Sequence, residues 1–149
     1  MLSRPGMTKK IRKQELSLET SGSIHKSKKL PEGLVTFSFR HYTASEKFCL
    51  PPADRLPTYV PQLLDRLKHV GAMKVTEFRS EKSRSLRAHQ HDWHNTSESE
   101  GFAHLGEQLR SCEPWQFCLS ANEHGRVHGL LIDSVFYVVW IDPNHALYP

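Results

Sequence analysis

Between Asn122 and Pro149 the stretch NEHGRVHGLLIDSVFYVVWIDPNHALYP sets His124, Arg126, His128, His145 and Tyr148 around a long apolar run. Imidazoles exchange protons near neutral pH, and a guanidinium can hold a phosphate in two places. Cleaving RNA through its own 2′-hydroxyl needs such a set: a base for the hydroxyl proton, an acid for the leaving 5′-oxygen, and a cation beside the phosphate. Arg126, His128, His145 and Tyr148 are the candidate catalytic residues, with Glu107 and Glu123 as candidate acidic partners.

A second concentration lies between Arg79 and Gly101. His89, His91, Asp92 and His94 read H-x-H-D-x-x-H, and three imidazoles with a carboxylate can fill a zinc shell. Without a cysteine partner the same pattern also fits a polar loop that contacts RNA. Arg79, Lys82, Arg84 and Arg87 make a basic stripe, broken by Glu81, that suits phosphate binding. Trp93 either stacks on a base or folds back over the core.

The elements that must position these residues follow from periodicity. LVTFSFR, residues 34 to 40, alternates with Val35, Phe37 and Phe39 on one side, as in a strand with one buried face. Pro51, Pro52 and Pro57 predict a stiff connection. In TYVPQLLDRLKHVG, Val60, Leu63, Leu64, Leu67 and Val70 recur at helical spacing, with Pro61 in the first turn and Gly71 as the stop. A second helix is predicted over FAHLGEQLRSC, where Phe102, Leu105, Leu109 and Cys112 share a face. From Trp115 the period becomes two, and a hairpin joins RVHGLLI to VFYVVWI through Asp133 and Ser134. Regular pairing from that turn sets His128 opposite Val139 and Arg126 opposite Ile141, with Trp140 on the face opposite His128. The expected fold is α+β in the order β-α-α-β-β-β: a mainly antiparallel sheet of about four strands with two helices on one face.

Charge divides the chain. Residues 1 to 30 carry eight Lys and Arg against two Glu, a balance of +6 within a total of +4, so the remainder stands near −2. Residues 1–32 therefore read as a basic flexible tail, and 33–149 as a single domain with a long polar insertion at about 79–101. The three cysteines form no CxxC pair, and no stretch has the length of a membrane span or a secretory signal. A soluble cytoplasmic protein with reduced thiols is expected.

The segment WQFCLSANEHGRVHGLLIDSVFYVVWIDPNHALY, Trp115 to Tyr148, resembles the C-terminal half of the RelE/YoeB-type bacterial toxins: a Trp-led strand, an EH turn, an Arg-led strand, a hairpin, then a terminal His and Tyr. The resemblance implies a ribosome-dependent endoribonuclease that cleaves mRNA without a cofactor and is held inactive by an antitoxin. It likens Arg126 to a phosphate-binding arginine, and His145 with Tyr148 to the pair that acts on the scissile phosphate. The chain departs from the pattern in Gly125, in the two residues between His145 and Tyr148, and in the long segment between the helices. Two other readings stay open: a non-enzymatic interaction module of mobile-element origin, and a metal-dependent hydrolase using His89, His91 and His94.

Overall fold

The computed structural model describes residues 33–80, 83, 85–121 and 125–149. Five strands form one mixed sheet: β1 (Thr36–Ser38), β2 (His89–Gln90), β3 (Glu113–Cys118), β4 (Arg126–Ile132) and β5 (Val135–Asp142). Their order across the sheet is β1-β5-β4-β3-β2. The described helices are α1 (Leu56–Gly71), α2 (Val75–Ser80) and α3 (Glu107–Arg110), with a 3-10 turn at Trp93–Asn95. The class is α+β, as expected; the sheet, however, is mixed, because β1 runs parallel to β5 while the other pairings are antiparallel. Among the described residues no helix is long and apolar enough to cross a membrane.

Two apolar clusters pack on opposite faces of β4 and β5. On one face Val127, Leu131, Phe136, Val138 and Ile141 meet Leu63, Leu67 and Val70 of α1 and Val75 and Phe78 of α2. On the other, Leu130, Val139 and Trp140 meet Phe48, Phe102, Leu105, Leu109 and Leu147. The expectation of two helices on one face is therefore corrected. The segment after Phe102 keeps its apolar side against the sheet, but on the second face, and it is helical for only the four residues of α3. Gly106 explains the shortening: its extended backbone (ψ 155°) starts a new turn there instead of continuing a helix.

Helix α1 begins at Leu56, two residues before the predicted stretch, with Pro57 in its first turn, where a missing N–H costs nothing. Pro61 consequently lies inside the helix. Strand β1 stops at Ser38, leaving Phe39 53% exposed and not part of the predicted buried row. The polar segment contributes a strand too: β2 pairs His89 with Gln116 and Gln90 with Trp115.

The hairpin turn is as predicted, with Ile132 opposite Val135 and Asp133 at φ 53°. Regular pairing continues to Gly129 opposite Val138, and then shifts so that His128 faces Trp140 and Arg126 faces Asp142. Val139 is thus an extra residue, a β-bulge, and Val139 and Trp140 both join the second apolar cluster. The predicted partners of His128 and Arg126 were each one residue too early. Gly129 permits the bulge, since a Cβ built there would lie 2.1 Å from the Tyr137 carbonyl oxygen. Backbone cannot yield as a flexible side chain does. Gly129→Ala should therefore lower stability by about 3 kcal/mol, read as a fall in the urea midpoint with an unchanged slope; a loss below about 1 kcal/mol would contradict this account of the bulge.

Candidate functional site

The bulge decides which groups meet. On β4, alternation places Arg126 and His128 on the face of Leu130, and the extra residue in β5 brings Asp142 to that same face. His128 Nε2 lies 2.9 Å from Asp142 Oδ2, with both side chains fully buried. After β5 the chain turns back through His145, whose φ is 55°. The Ala146 and Leu147 amides then donate to Asp142 Oδ1 and Oδ2 at 2.8 and 3.1 Å. Three donors thus satisfy one buried carboxylate, and the same turn delivers Tyr148.

Tyr148 and His128 are joined through a residue of the polar segment. His91 follows β2, its backbone N–H bonded to the Pro114 carbonyl at 3.0 Å. Its Nδ1 lies 2.9 Å from the Tyr148 hydroxyl and its Nε2 lies 3.2 Å from His128 Nδ1. Asp142, His128, His91 and Tyr148 are therefore linked end to end.

Electrostatics fix the direction of that chain. Burial by itself would raise the Asp142 carboxyl, but the hydrogen bonds from His128 and the Ala146 and Leu147 amides outweigh it and hold it below its ordinary range. An ionised Asp142 needs the proton of His128 on Nε2, which leaves Nδ1 as an acceptor. His91 then donates from Nε2, and the Tyr148 hydroxyl donates to His91 Nδ1. The phenol oxygen also has a hydrogen bond to the Asp92 backbone, and burial raises the phenol's pKa. Burial, with His128 and His89 alongside, depresses His91 to about 2. His128 is depressed by burial too, against the pull of Asp142. Both imidazoles are neutral at pH 7.

Around this chain stand other sequence-predicted residues. Gln116 Nε2 lies 2.6 Å from His89 Nε2, and His89 Nδ1 lies 2.8 Å from the Gln90 carbonyl. The His89 ring lies 5.7 Å from the Tyr148 ring. His145 is half-buried, its ring centroid 6.3 Å from that of Tyr148. Arg126 is only 5% exposed, and its Nη1 donates to the Gly125 carbonyl at 3.1 Å. As a direct phosphate contact Arg126 is misplaced here; its charge reaches His128 and the buried thiol of Cys118 instead. His128, fully buried, can act on a substrate only through His91 and Tyr148.

The other expectations for the polar segment divide. Trp93 packs on Phe102, His91 and Trp140, with its ring against the bare face of Gly101; it covers the core and is no open stacking platform. Arg79 is engaged by Glu113. Arg87 is exposed at φ 45°, whereas Lys82, Arg84, Glu123 and His124 lie outside the described residues. Glu107 is exposed in α3. Among the described residues no three His, Cys, Asp or Glu side chains converge to hold a metal. His89 and His91 spend their ring nitrogens on Gln116, Gln90, Tyr148 and His128, and His94 is exposed on the 3-10 turn. Asp142 and Gln116 were not foreseen as site residues, and His91 was foreseen only as a metal ligand.

Neutral buried histidines make stability depend on pH. An unfolded histidine takes up a proton near pH 6.5, whereas His91 in the folded protein resists protonation down to about 2 and His128 is also depressed. The unfolded chain binds more protons in this window, so stability falls as pH drops, by up to about 1.4 kcal/mol per pH unit for each buried ring. Asp142, also depressed, adds a loss in the same direction once pH falls below about 4. Urea unfolding should show about 2 to 4 kcal/mol lost between pH 7 and pH 5. A flat profile there would mean that His91 and His128 take up protons as readily in the fold as in the unfolded chain.

No family model matches the chain, and neither does any curated protein or solved structure.

Proposed function

We propose that the protein is an endoribonuclease working by acid/base catalysis, with Tyr148 meeting the substrate hydroxyl. The observation that carries this reading is the continuous line of hydrogen bonds from Tyr148 through His91 and His128 to Asp142. The RNA 2′-hydroxyl gives its proton to the Tyr148 oxygen as the phenol proton moves to His91 Nδ1. The His91 Nε2 proton passes to His128 Nδ1, so the positive charge comes to rest on His128, beside Asp142. The 2′-oxygen bonds to phosphorus, the P–O5′ bond breaks, and His145 supplies the proton that the 5′-oxygen needs. The products are a 2′,3′-cyclic phosphate and a free 5′-hydroxyl.

The mechanism uses the RNA's own hydroxyl as nucleophile and requires no cofactor. Under the RelE/YoeB-type resemblance the substrate is mRNA on the ribosome, and a cognate antitoxin is the inhibitor. A non-enzymatic interaction module is the second reading; what favours it is the full burial of His128 and Asp142, since the same network could serve only to fasten the C-terminal segment.

Purified protein incubated with mRNA, free and on translating ribosomes, should generate new ends bearing cyclic phosphate, in the presence of EDTA as in its absence. Tyr148→Phe should keep the fold and lower kcat by about 10²-fold or more, with KM within threefold, and His145→Ala should do likewise. Intact RNA under both conditions would exclude the nuclease and leave the interaction module.

A further inference from the structure

Arg66 leaves the middle of α1 toward the end of β3 and is only 9% exposed. Its Nε donates to the Leu119 carbonyl and its Nη2 to the Ser85 carbonyl, both at 2.9 Å. Those bonds use two of the five guanidinium N–H groups. No described carboxylate forms an ion pair with it. Backbone carbonyls supply partial charge only, whereas an arginine held this far from water ordinarily meets an anion. Burial pulls its pKa below the ordinary value, and the one group that pushes back is the Cys118 thiol, itself kept protonated by burial.

The remaining edge of the guanidinium is open. Nη1 makes no hydrogen bond among the described residues, and it is not sealed from solvent. Arg66 lines a cavity of about 200 Å³ together with Gln62, Asp65, His69 and Leu119. Gln62, Arg66 and His69 stand at i, i+4 and i+7 of α1 and therefore share one face. An amide, a guanidinium and an imidazole can each donate to an oxyanion. Asp65 is the one acid on the wall, and its charge is not among those acting on Arg66.

Two more guanidiniums add to the field. Arg126 and Arg87 act with Arg66 on the Cys118 thiol, each drawing its pKa down against the rise that burial imposes. The end of β3 therefore lies in a positive field with no described carboxylate to cancel it. A cavity of this size is below the range of small-molecule pockets and suits one phosphate group. Phosphate offers three acceptor oxygens to donors arranged around it, where a carboxylate offers two. We propose that the cavity beside Arg66 is a phosphate-binding site, in which Arg66 Nη1, the Gln62 amide and the His69 imidazole hold one phosphate of an RNA backbone while Arg87 adds to the attraction. Helix α1 packs on the sheet face opposite to His128, so this phosphate is not the scissile one. As an RNA site it rests on the nuclease reading and anchors the strand away from the cleaved bond; as a phosphate site it stands on the cavity itself.

The test uses the full chain and its Gln62→Glu and Asp65→Asn variants, since replacing Arg66 would also strand the Leu119 and Ser85 carbonyls. The probes are inorganic phosphate, uridine 3′-monophosphate, uridine, and a 2′-O-methyl RNA tetramer that cannot be cleaved. Inorganic phosphate, the monophosphate and the tetramer should each shift the Arg66 Nε–H resonance and the amides of His69 and Leu119, and uridine should not. Gln62→Glu places a carboxylate one helical turn before Arg66, an arrangement that favours pairing. It should take the anion's place and weaken binding of every phosphate probe about tenfold or more, at an unchanged or higher urea midpoint. Asp65→Asn removes the one acid on the wall and should tighten binding about twofold or more.

Failure of the wild-type protein to bind any phosphate probe, or equal binding by Gln62→Glu, would overturn the site. Binding of inorganic phosphate and the monophosphate without the tetramer would keep the anion site and overturn its assignment to an RNA backbone. Cleavage measured in parallel separates the site from the nuclease reading. Binding that Gln62→Glu abolishes, without cleavage, would leave the phosphate site standing and exclude the nuclease. Cleavage with the same KM in wild type and Gln62→Glu would do the reverse.

Discussion

The contact between His128 and Asp142 is the constraint around which the rest is arranged. Bringing a carboxylate out of water costs several kcal/mol unless donors surround it, and a fully buried one tolerates no vacancy. Asp142 meets that demand with His128 and with the Ala146 and Leu147 amides. The amides lie four and five residues further along the chain, so β5 cannot simply run out into solvent. It must turn at once, which is why His145 accepts a left-handed backbone. The energetics of one carboxylate therefore set the path of the C-terminal segment and the position of Tyr148.

That contact in turn depends on an irregularity that hydrophobic patterning hides. Along VFYVVWID every residue before the aspartate is apolar or aromatic, so a central strand with both faces buried fits any register. The hairpin turn, both of its strands and the burial of their faces were legible, because Asp133-Ser134 fixes where pairing begins. The extra residue at Val139 was not, because neither face shows a polar residue out of phase. Gly129 was the signal available: a glycine within an apolar strand marks a bulge or a close backbone approach. Without the bulge, Asp142 would lie on the face opposite His128, and the buried pair could not form.

The histidines of the polar segment stand close together in sequence, which left a shared metal as one open reading. His89, His91 and Trp93 alternate along extended chain and so share a face, but each is spent on a different partner. His89 turns to Gln116, His91 to His128 and Tyr148, and Trp93 to Phe102 and Trp140. What organises them is the two-residue pairing of β2 with β3, too short to leave a periodic trace. Helix α1 was legible from its apolar spacing, yet the bond of Arg55 to Asn144 was not, because only the turn after β5 brings Asn144 beside it.

The polarity of the hydrogen-bond chain limits what its outer end can do. Because Asp142 is ionised, every donor points inward, and the Tyr148 hydrogen is committed to His91. The phenol oxygen is therefore left as an acceptor. A group there can receive a proton only if the phenol releases its own at the same time, and the released charge needs a place to stay. His91 is a poor one, depressed to about 2 by burial and by His128 and His89. His128 is better, since the carboxylate 2.9 Å away offsets an imidazolium as it forms. Two linked histidines thus serve where one would not: the outer ring touches the phenol, and the inner ring holds the charge where its counterion is fixed.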